Sequence, residues 1–510
     1  MTFLPQWLAS SLTLISAILV ILCALFGVAI LVMFIVDKTQ HKDAIRYNFP
    51  VVGRFRYIFT TLGEFFRQYF FAMDREEMPF NRAERVWVEK ASKDLSNTRA
   101  FGSTKNLTPP GTAIFVNCAF PALDSKHEDS HPLKIGPFAR EPYDAPSFFN
   151  ISGMSFGALS APAVRALSGG AKMAGCWMNT GEGGLSRYHE EGGADIVFQI
   201  GTAKYGVRTA DGHLSEDKLL AIAQKPQVKM IEVKLSQGAK PGKGGLLPGE
   251  KVTDEIAEVR GIPIGESSIS PNRHEEISDV GELLDFIHKV RELTGLPVGF
   301  KSVVSSIDWI SDLCEEIHRR GLESAPDFIT IDSGDGGTGA APMPLMDNVG
   351  LPIRESLPMV VDALSSYNLR DRIRIIASGK LVTPSAVGLA LSLGADFVVS
   401  ARGYLFALGC IQALKCNKNT CPTGITTHNP RLQRGLDPKD KSVRVAGYCS
   451  NMRREVEVIA HSCGAADPRD LDRHNVRIVQ ANGTSIPLVD IFPHPDRAAS
   501  QLAELKHTLK

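Results

Sequence analysis

The 510-residue sequence lacks an excess of either charge, since it carries 56 basic and 56 acidic residues. This balance argues against a nucleic-acid partner, which a basic protein would attract. Low-complexity tracts are also absent, and 44% hydrophobic with 22% charged residues excludes a disordered or collagen-like chain. Nine cysteines are too thinly spread for a disulfide scaffold. What remains is a chain long enough for a large buried core.

Charged residues are missing from Ala9 to Val36, where Leu, Ile, Val, Ala and Phe predominate. About 20 apolar residues cross a bilayer, so we predict a transmembrane helix over residues 9–36. A signal peptide is one alternative, but it would begin with basic residues and have a shorter apolar run. A buried core helix is the other alternative. Lys38, Lys42 and Arg46 follow the run, and no Lys or Arg precedes it. The positive-inside rule then predicts a single-pass protein of the inner (cytoplasmic) membrane, with the larger C-terminal part in the cytoplasm.

The rest of the chain predicts an α/β fold. Residues 37–110 are rich in charged and aromatic residues and predict a helical juxtamembrane segment. Beyond them, short apolar runs alternate with amphipathic stretches, which predicts a parallel sheet. Polar residues follow the strands, as the catalytic face of a (β/α)8 TIM barrel requires, although an open doubly wound sheet obeys a similar rule. We predict the barrel at 111–435 and a C-terminal helical extension at 436–510. The predicted barrel strands are 148–152, 228–233, 298–304, 328–331, 373–377 and 397–400.

Three glycine-containing turns follow predicted strands and indicate an anion site. Gly334 to Gly339 fits G-x-G-x-x-G, but a Pro-containing stretch follows where a dinucleotide fold would begin a helix. The later turns are Ser378-Gly379-Lys380 and Ser400-Ala401-Arg402-Gly403. Backbone N–H groups in such loops bind anions, and barrels dock a phosphate after their last two strands. Together the turns suit a mononucleotide such as FMN, although each glycine alone is also typical of an ordinary tight turn.

Three of the nine cysteines crowd together. Cys410, Cys416 and Cys421 are spaced C-x5-C-x4-C, and Pro422 follows the last of them. Zinc sites usually offer paired C-x2-4-C knuckles, which are not present here. Thiolates followed by proline are typical of iron–sulfur clusters, and three ligands suit a three-iron cluster or a four-iron cluster with an outside ligand. Core cysteines without a metal are the alternative.

Six motifs occur in one order between residues 148 and 435. They are Ile151-Ser-Gly-Met-Ser-Phe-Gly-Ala-Leu-Ser160, Asn179-Thr-Gly-Glu-Gly-Gly184, Ser236-Gln-Gly-Ala-Lys-Pro-Gly-Lys-Gly-Gly245, Ser270-Pro271 with His274, Asp335-Gly-Gly-Thr-Gly-Ala-Ala-Pro342, and Leu408-Gly-Cys410 with Cys416 and Asn419-Thr-Cys-Pro-Thr-Gly424. This region resembles the FMN-binding synthase domain of glutamate synthases. With a membrane span ahead of it, the chain resembles the stand-alone glutamate-synthase-like family.

The resemblance implies a barrel that holds FMN near a 3Fe-4S cluster and reduces a 2-iminoglutarate-type intermediate, formed from 2-oxoglutarate, to L-glutamate. It implies Cys410, Cys416 and Cys421 as the cluster ligands. The implied catalytic residues are Glu182 and Lys240, and 2-oxoglutarate would be bound by Lys240 with Lys234, Gln237 and Arg260. The implied FMN-binding residues are Ser152, Met154, Ser155, Lys301, Asp335, Gly336, Gly337, Gly379, Arg402 and Gly403.

The chain also departs from the family pattern. Leu246 stands where the family loop Gly-Gly-Gln-Leu-Pro has a glutamine. A related flavin barrel that acts on another amine or keto acid, or a non-catalytic membrane-anchored electron relay, are therefore the alternatives. No glutaminase domain fits ahead of the barrel and no nicotinamide-binding unit is evident. We expect nitrogen from ammonia, an amine or a partner subunit, and electrons from ferredoxin or a membrane dehydrogenase.

Overall fold

A computed structural model describes residues 6–40, 42–123 and 131–495, so parts of the predicted juxtamembrane, barrel and C-terminal segments lie outside the described residues. The chain divides into two compact units between Ala83 and Glu84. The first unit begins with the helix Gln6–Thr39. Among the described residues, this helix holds one segment long and apolar enough to cross a membrane, Ser10–Thr39, with a mean hydropathy of 3.3. Shorter helices follow at Ala44–Asn48, Val52–Arg54, Phe55–Phe66 and Arg67–Phe71.

The second unit contains a closed barrel of eight parallel strands. The strands are β1 (Phe149–Ile151), β2 (Met178–Asn179), β3 (Ile196–Ile200), β4 (Val228–Lys234), β5 (Val298–Ser302), β6 (Phe328–Asp332), β7 (Arg374–Ser378) and β8 (Phe397–Ser400). Strand β8 pairs with β1 through Val398 and Phe149, which closes the sheet and excludes the open alternative. The predicted (β/α)8 barrel is therefore confirmed. Its strands are almost continuously apolar because both of their faces are covered.

Helices follow the strands along the chain. They are Ala161–Ala174, Arg187–Glu190, Glu216–Ala223, Asp254–Arg260, Val280–Thr294, Asp308–Arg320, Met343–Asn348, Ile353–Ser366, Pro384–Ser392, Arg402–Ala407, Pro430–Gln433 and Pro438–Ser462. Local signals set the ends of the first: the Ser160 side chain accepts a hydrogen bond from the Ala163 N–H, and Gly175 ends the helix at a φ of 63°. These are the capping residues that such positions favour.

The long helix Pro438–Ser462 packs against the helix Ala161–Ala174. Gly170 lies at the crossing, where an added Cβ would stand 2.4 Å from the Cβ of Val445. Only a glycine lets the two backbones approach this closely. Residue 435, the predicted end of the barrel domain, precedes a helix that packs directly on a barrel helix.

Smaller elements complete the second unit. Three antiparallel pairings join Ala113–Phe115 with Val476–Val479, Leu133–Ile135 with Tyr143–Ala145, and Leu246–Leu247 with Ser268–Ile269, while Ser485–Pro487 extends the first pairing. Helices also lie at Arg82–Ser92, which begins two residues before the second unit, and at Leu488–Ile491. The Trp87 indole N–H donates to a Glu455 carboxylate oxygen at 2.8 Å, so residues ahead of the barrel are tied to its last long helix.

The amino-terminal end of the barrel is closed and the carboxyl-terminal end is open. Trp177, Val197 and Phe328 belong to a buried cluster inside the barrel. Asp327, directly before β6, is buried between Arg291 and Arg372, each with an N–O distance of 3.0 Å. The polar residues available for chemistry therefore lie at the other end, as in other barrels of this type.

Candidate active site

A cavity of ≈ 510 Å³, counted to its open mouth, lies at the carboxyl ends of the strands. Small-molecule sites usually have volumes of roughly 300–1,000 Å³. Seven of the predicted site residues line it, namely Ser152, Lys234, Gln237, Lys301, Gly337, Gly379 and Arg402. The barrel thus brings together residues that are far apart in the sequence.

A buried ion pair lies in the wall of this cavity. Lys301 Nζ is 3.2 Å from Asp332 Oδ2, and both side chains are almost fully buried. The same carboxylate accepts a hydrogen bond from the Gly238 N–H at 2.9 Å. Burial favours the neutral amine, but the Asp332 and Glu232 carboxylates outweigh it and raise the pKa of Lys301. The cavity wall therefore carries a permanent positive charge.

Below the cavity, a network of hydrogen bonds surrounds the buried carboxylate of Glu232. Its Oε1 accepts from the Asn179 amide at 2.8 Å and from the Gln199 amide at 2.6 Å. Its Oε2 accepts from the Thr330 hydroxyl at 2.6 Å. Because the Gln199 amide nitrogen is held in this way, the orientation of the Gln199 side chain in the cavity wall is fixed.

Lys234, the last residue of β4, connects the cavity to a cluster of charged side chains. Its Nζ lies 2.9 Å from Glu182 Oε2 and also donates to Gln237 Oε1. Burial would raise the pKa of Glu182, but Lys234, Lys240 and Arg260 together lower it to about 2. Glu182 is therefore a carboxylate at neutral pH, held between cations.

Lys240 is buried, and the loss of solvent lowers its pKa to about 8 even though the Glu182 carboxylate favours the charged amine. Burial also lowers the pKa of Arg260. The Arg260 Nη1 lies 3.2 Å from Ser268 Oγ, and its Nη2 donates to the Phe156 carbonyl at 3.3 Å. Glu182, Lys240 and Arg260 are thus grouped beside the cavity, which Lys234 reaches directly.

Glycines and cations share one side of the cavity. A Cβ at Gly337 would lie 2.6 Å from Arg402 Nε, so the guanidinium packs on bare backbone. Gly379 has a φ of 113°, a conformation that favours glycine. Lys380 follows it, with Nζ 2.9 Å from Asp335 Oδ2. Two cations beside the glycines Gly337 and Gly379 form a suitable place for a phosphate.

The other predicted cofactor residues do not line the cavity. They are Met154, Ser155, Asp335, Gly336 and Gly403. Ser155 packs against Gly181, where a Cβ would lie 2.6 Å from the Ser155 backbone nitrogen. Gly403 packs under Tyr448, with the hydroxyl 2.1 Å from the position of a Cβ. Ser155 and Gly403 therefore pack in the loops behind the wall, whereas Asp335 contacts the lining residue Lys380.

Sequence reasoning missed the lining residues Gln199 and Asp332. It placed Ser378, Lys380 and Ser400 in turns expected to bind an anion, without assigning them as site residues. Asp332, Ser378 and Ser400 are the last residues of β6, β7 and β8. The rule that polar groups at strand ends face the site could have found them. Lys380 was within reach as well, because it directly follows the predicted Gly379.

Cys410, Cys416 and Cys421 lie on the segment between the helices Arg402–Ala407 and Pro430–Gln433. Burial raises the pKa of Cys410 to about 12, and the other two thiols add to that increase. Among the described ranges of the chain, no three His, Cys, Asp or Glu side chains are placed to hold a single metal ion. A three-iron cluster takes one thiolate per iron, so its ligands need not converge on one point.

Lys251 ties the cysteine segment to the barrel. Its buried Nζ donates to the Ala158 carbonyl at 2.9 Å and to the Cys416 carbonyl at 3.3 Å. Burial lowers the pKa of Lys251 to about 8, although the Cys416 and Cys421 sulfurs favour its charged form. Lys251 therefore links the cysteine segment to the loop after β1.

Comparison with known proteins places this geometry in a family. A family model described as a conserved region in glutamate synthase matches residues 123–466. The chain belongs to the glutamate synthase family. It is 38% identical to the glutamate synthase large subunit-like protein YerD of Bacillus subtilis (strain 168), covering 94% of this chain and 99% of that protein. The resemblance carried by the six motifs is thereby confirmed.

A second relative matches over a smaller part of this chain. The chain is 34% identical to the archaeal-type glutamate synthase (NADPH) of Thermotoga neapolitana over 67% of this chain and 64% of that protein. Among solved structures, a flavocytochrome b2 with pyruvate bound has a TM-score of 0.46 at 14% identity, covering 77% of this chain and 82% of that chain. A mandelate oxidase has the same TM-score at 15% identity, covering 77% and 98%.

Proposed function

We propose that this protein is an FMN- and iron–sulfur-dependent oxidoreductase that converts 2-oxoglutarate, through a 2-iminoglutarate-type intermediate, to L-glutamate. The observation that carries the proposal is the Glu182 carboxylate held by Lys234 and Lys240 next to the cavity. Membership of the glutamate synthase family supports it.

The charged cluster suits both parts of the reaction. Condensation of the keto group with ammonia releases one water, and reduction of the C=N bond adds a hydride to carbon and a proton to nitrogen. Lys234, Lys240 and Arg260 supply the cations that a dicarboxylate needs. Glu182 is charged at neutral pH and would bind an ammonium as its counter-ion. Gln237, hydrogen-bonded to Lys234, fixes that lysine for binding.

The cavity fits FMN by the chemistry of its lining. Arg402 and Gly379 would bind the phosphate with Lys380, while Ser152, Lys301 and Gly337 would contact the rest of the molecule. When bound, FMN supplies the hydride. Lys301 keeps a fixed positive charge at the wall because Asp332 is its partner. The contributions of Met154, Ser155, Asp335, Gly336 and Gly403 stay predictions.

Cys410, Cys416 and Cys421 would hold the 3Fe-4S cluster, since soft thiolates suit iron–sulfur centres. The three thiols lie on one segment and influence one another's pKa. When bound, such a cluster supplies single-electron transfer, and ferredoxin or another electron donor would feed it.

We also propose that the helix Gln6–Thr39 anchors the protein in the inner membrane as a single span, with the catalytic barrel in the cytoplasm. The apolar segment Ser10–Thr39 is long enough to cross a bilayer. The basic residues Lys38, Lys42 and Arg46 at its C-terminal side support this orientation.

One residue favours a second candidate, a related flavin barrel that acts on another amine or keto acid. A Cβ at Gly245 would lie 2.3 Å from Glu182 Oε1, so this backbone abuts the charged cluster. Leu246 follows directly, and its side chain is about half exposed. An apolar side chain beside the cluster favours a substrate with less polar surface.

Anaerobic reoxidation of the reduced protein, followed by flavin absorbance, tests both candidates. Acceleration by 2-oxoglutarate together with ammonium supports the first, and acceleration only by a different pair supports the second. If no keto acid accelerates reoxidation, both candidates are wrong and a non-catalytic electron relay is the remaining interpretation. Glu182→Gln should lose the acceleration and keep its flavin, whereas Glu191→Gln, on the surface beside Arg165, should keep both. Iron and acid-labile sulfide are measured on the same samples.

A further inference from the structure

A row of exposed apolar side chains runs along one face of the helix Phe55–Phe66 in the first unit. Phe55, Ile58, Phe59, Leu62 and Phe66 follow the i, i+3, i+4 spacing of a single helix face. All five are exposed, and Phe59 is 65% exposed. Proteins rarely leave such a continuous apolar surface to water.

The opposite face of this helix is polar. Arg56, Thr60, Thr61 and Arg67 lie there by the same helical spacing. The Thr60 and Thr61 hydroxyls donate to backbone carbonyls one turn earlier, at 2.8 and 3.1 Å. The helix is thus amphipathic, with aromatic residues on one side and arginines on the other, which is the composition of helices that lie at a membrane surface.

Ring contacts hold the apolar row in line, and it continues beyond the helix. The Phe55 and Phe59 rings are 6.3 Å apart, and the Phe66 and Phe70 rings are 5.6 Å apart. Phe70 and Phe71, in the π-helical turn Arg67–Phe71, are each 74% exposed. The exposed surface therefore extends over both helical segments.

A buried carboxylate fixes the start of this helix at the end of the apolar segment. Asp37 is fully buried, with one oxygen 2.6 Å from an Arg46 nitrogen and 2.8 Å from an Arg54 nitrogen. Its other oxygen accepts from the Val51 N–H at 3.0 Å. Arg54 directly precedes Phe55, so the apolar row begins where Ser10–Thr39 ends.

The length of the segment Ser10–Thr39 determines the depth in the membrane at which Asp37 and its partners lie. Thirty helical residues are about 45 Å long, which exceeds the ~30 Å hydrocarbon core of a bilayer. Asp37 and the residues bound to it therefore belong at the level of the lipid headgroups.

The charged residues of this region also favour a location at the lipid headgroups. Residues 37–72 contain six basic and three acidic residues. Arg46 and Arg54 share Asp37, while Lys38, Lys42, Arg56 and Arg67 supply the remaining positive charge. Basic residues near an apolar face are attracted to the anionic headgroups of a cytoplasmic leaflet.

We propose that Phe55–Phe71 lies in the interface of the bilayer that the preceding helix spans, with its apolar row among the acyl chains and its arginines at anionic headgroups. This rests on the proposed membrane anchor. Interfacial helices sink about 5–10 Å into the boundary between headgroups and acyl chains. The protein then contacts its membrane along a surface helix as well as through the span.

Tryptophan fluorescence of the full chain tests this placement. Phe59→Trp and its matched control Thr61→Trp are reconstituted into phosphatidylcholine–phosphatidylglycerol vesicles, with or without bromine near the headgroup end of the acyl chains. The spectrum of the unmodified protein is subtracted from that of Phe59→Trp, which leaves the emission of the introduced indole. This emission should be shifted to the blue. It should also lose most of its intensity when the lipid is brominated. The emission added by Thr61→Trp should lose much less. Phe66→Trp repeats the measurement on the apolar face.

Equal quenching at positions 59 and 61, or none at either, would overturn the proposal. Blue-shifted emission at 59 that bromine does not quench would also overturn it, because protein would then cover the row. Flotation of the full chain with the vesicles reports on the span separately. A chain that floats without quenching at 59 refutes the interfacial helix alone, and a chain that does not float refutes the span as well.

Discussion

The depressed pKa of Lys240 predicts a pH limit for binding of a dicarboxylate. Burial lowers this pKa to about 8, and the Glu182 carboxylate keeps it from falling further. A lysine is charged below its pKa, so the site loses this cation as the pH rises through about 8. The affinity for 2-oxoglutarate should therefore fall above that pH. As long as Lys240 stays protonated in the complex, the decrease in affinity should approach about tenfold per pH unit.

Replacing Glu182 with glutamine moves this limit in a defined direction. An opposite charge within about 4–6 Å shifts a pKa by roughly 1–3 units, and each unit is worth about 1.4 kcal/mol. Without the carboxylate, the pKa of Lys240 should fall from about 8 by a unit or more. The midpoint of the affinity profile should move to lower pH by the same amount.

Lys243→Met is the matched variant, and it should shift the pKa of Lys240 in the opposite direction. The Lys243 charge lowers the pKa of Lys240, so its removal should move the midpoint upward. Lys243 is exposed, and salt screens exposed charges, so this shift should shrink at high ionic strength while the Glu182 shift persists.

Isothermal titration with 2-oxoglutarate between about pH 6 and about pH 9.5 measures these midpoints through the linked protonation. A flat profile for the unmodified protein would refute the role of Lys240. Shifts of the same sign in Glu182→Gln and Lys243→Met would refute the electrostatic argument. Stability gives a second readout: since the pKa of Lys240 is lower in the folded state, the free energy of unfolding should rise as the pH increases above about 8.

Three further predictions concern separate features. Lys301→Met leaves the buried Asp332 carboxylate without its partner, and thermal unfolding should show a loss of about 3–5 kcal/mol. Cys421→Ser should lower bound iron and sulfide, while Cys449→Ser, a buried cysteine away from the cluster segment, should retain both; equal iron in the two variants would contradict the ligand assignment. Gly170→Ala places a methyl group 2.4 Å from a valine Cβ, so chemical denaturation should show a loss of about 1–3 kcal/mol, and an unchanged midpoint would contradict the packing argument.

The sequence allowed most of the barrel to be predicted, because its buried parallel strands are short apolar runs. Strand β2 has two residues, Met178–Asn179, and so offers no periodicity to detect. Strand β3, Ile196–Ile200, has four apolar residues, which is the pattern of a buried strand. Strand β2 was not predicted because it is too short, whereas the length of β3 does not explain why it was not predicted.

The site was harder to predict because its buried charges lie within strands. Glu232 interrupts the apolar run of β4, where a charged residue usually marks a solvent-facing position. Barrel closure instead turns Glu232 toward Asn179 and Gln199, which lie on two other strands. Lys301 and Arg402 could be assigned from local motifs, whereas the partners that fix their surroundings depend on the closed fold.

The order in which the barrel closes has a consequence for biosynthesis. The edge of β1 is completed by β8, and the helix that packs at Gly170 contains Val445, roughly 250 residues or more further along the chain. A nascent chain stalled before β8 would expose an unpaired strand edge and the apolar side of its first barrel helix to the ribosome's surroundings. Protection by chaperones during translation is therefore needed longest at the part of the barrel that is synthesised first.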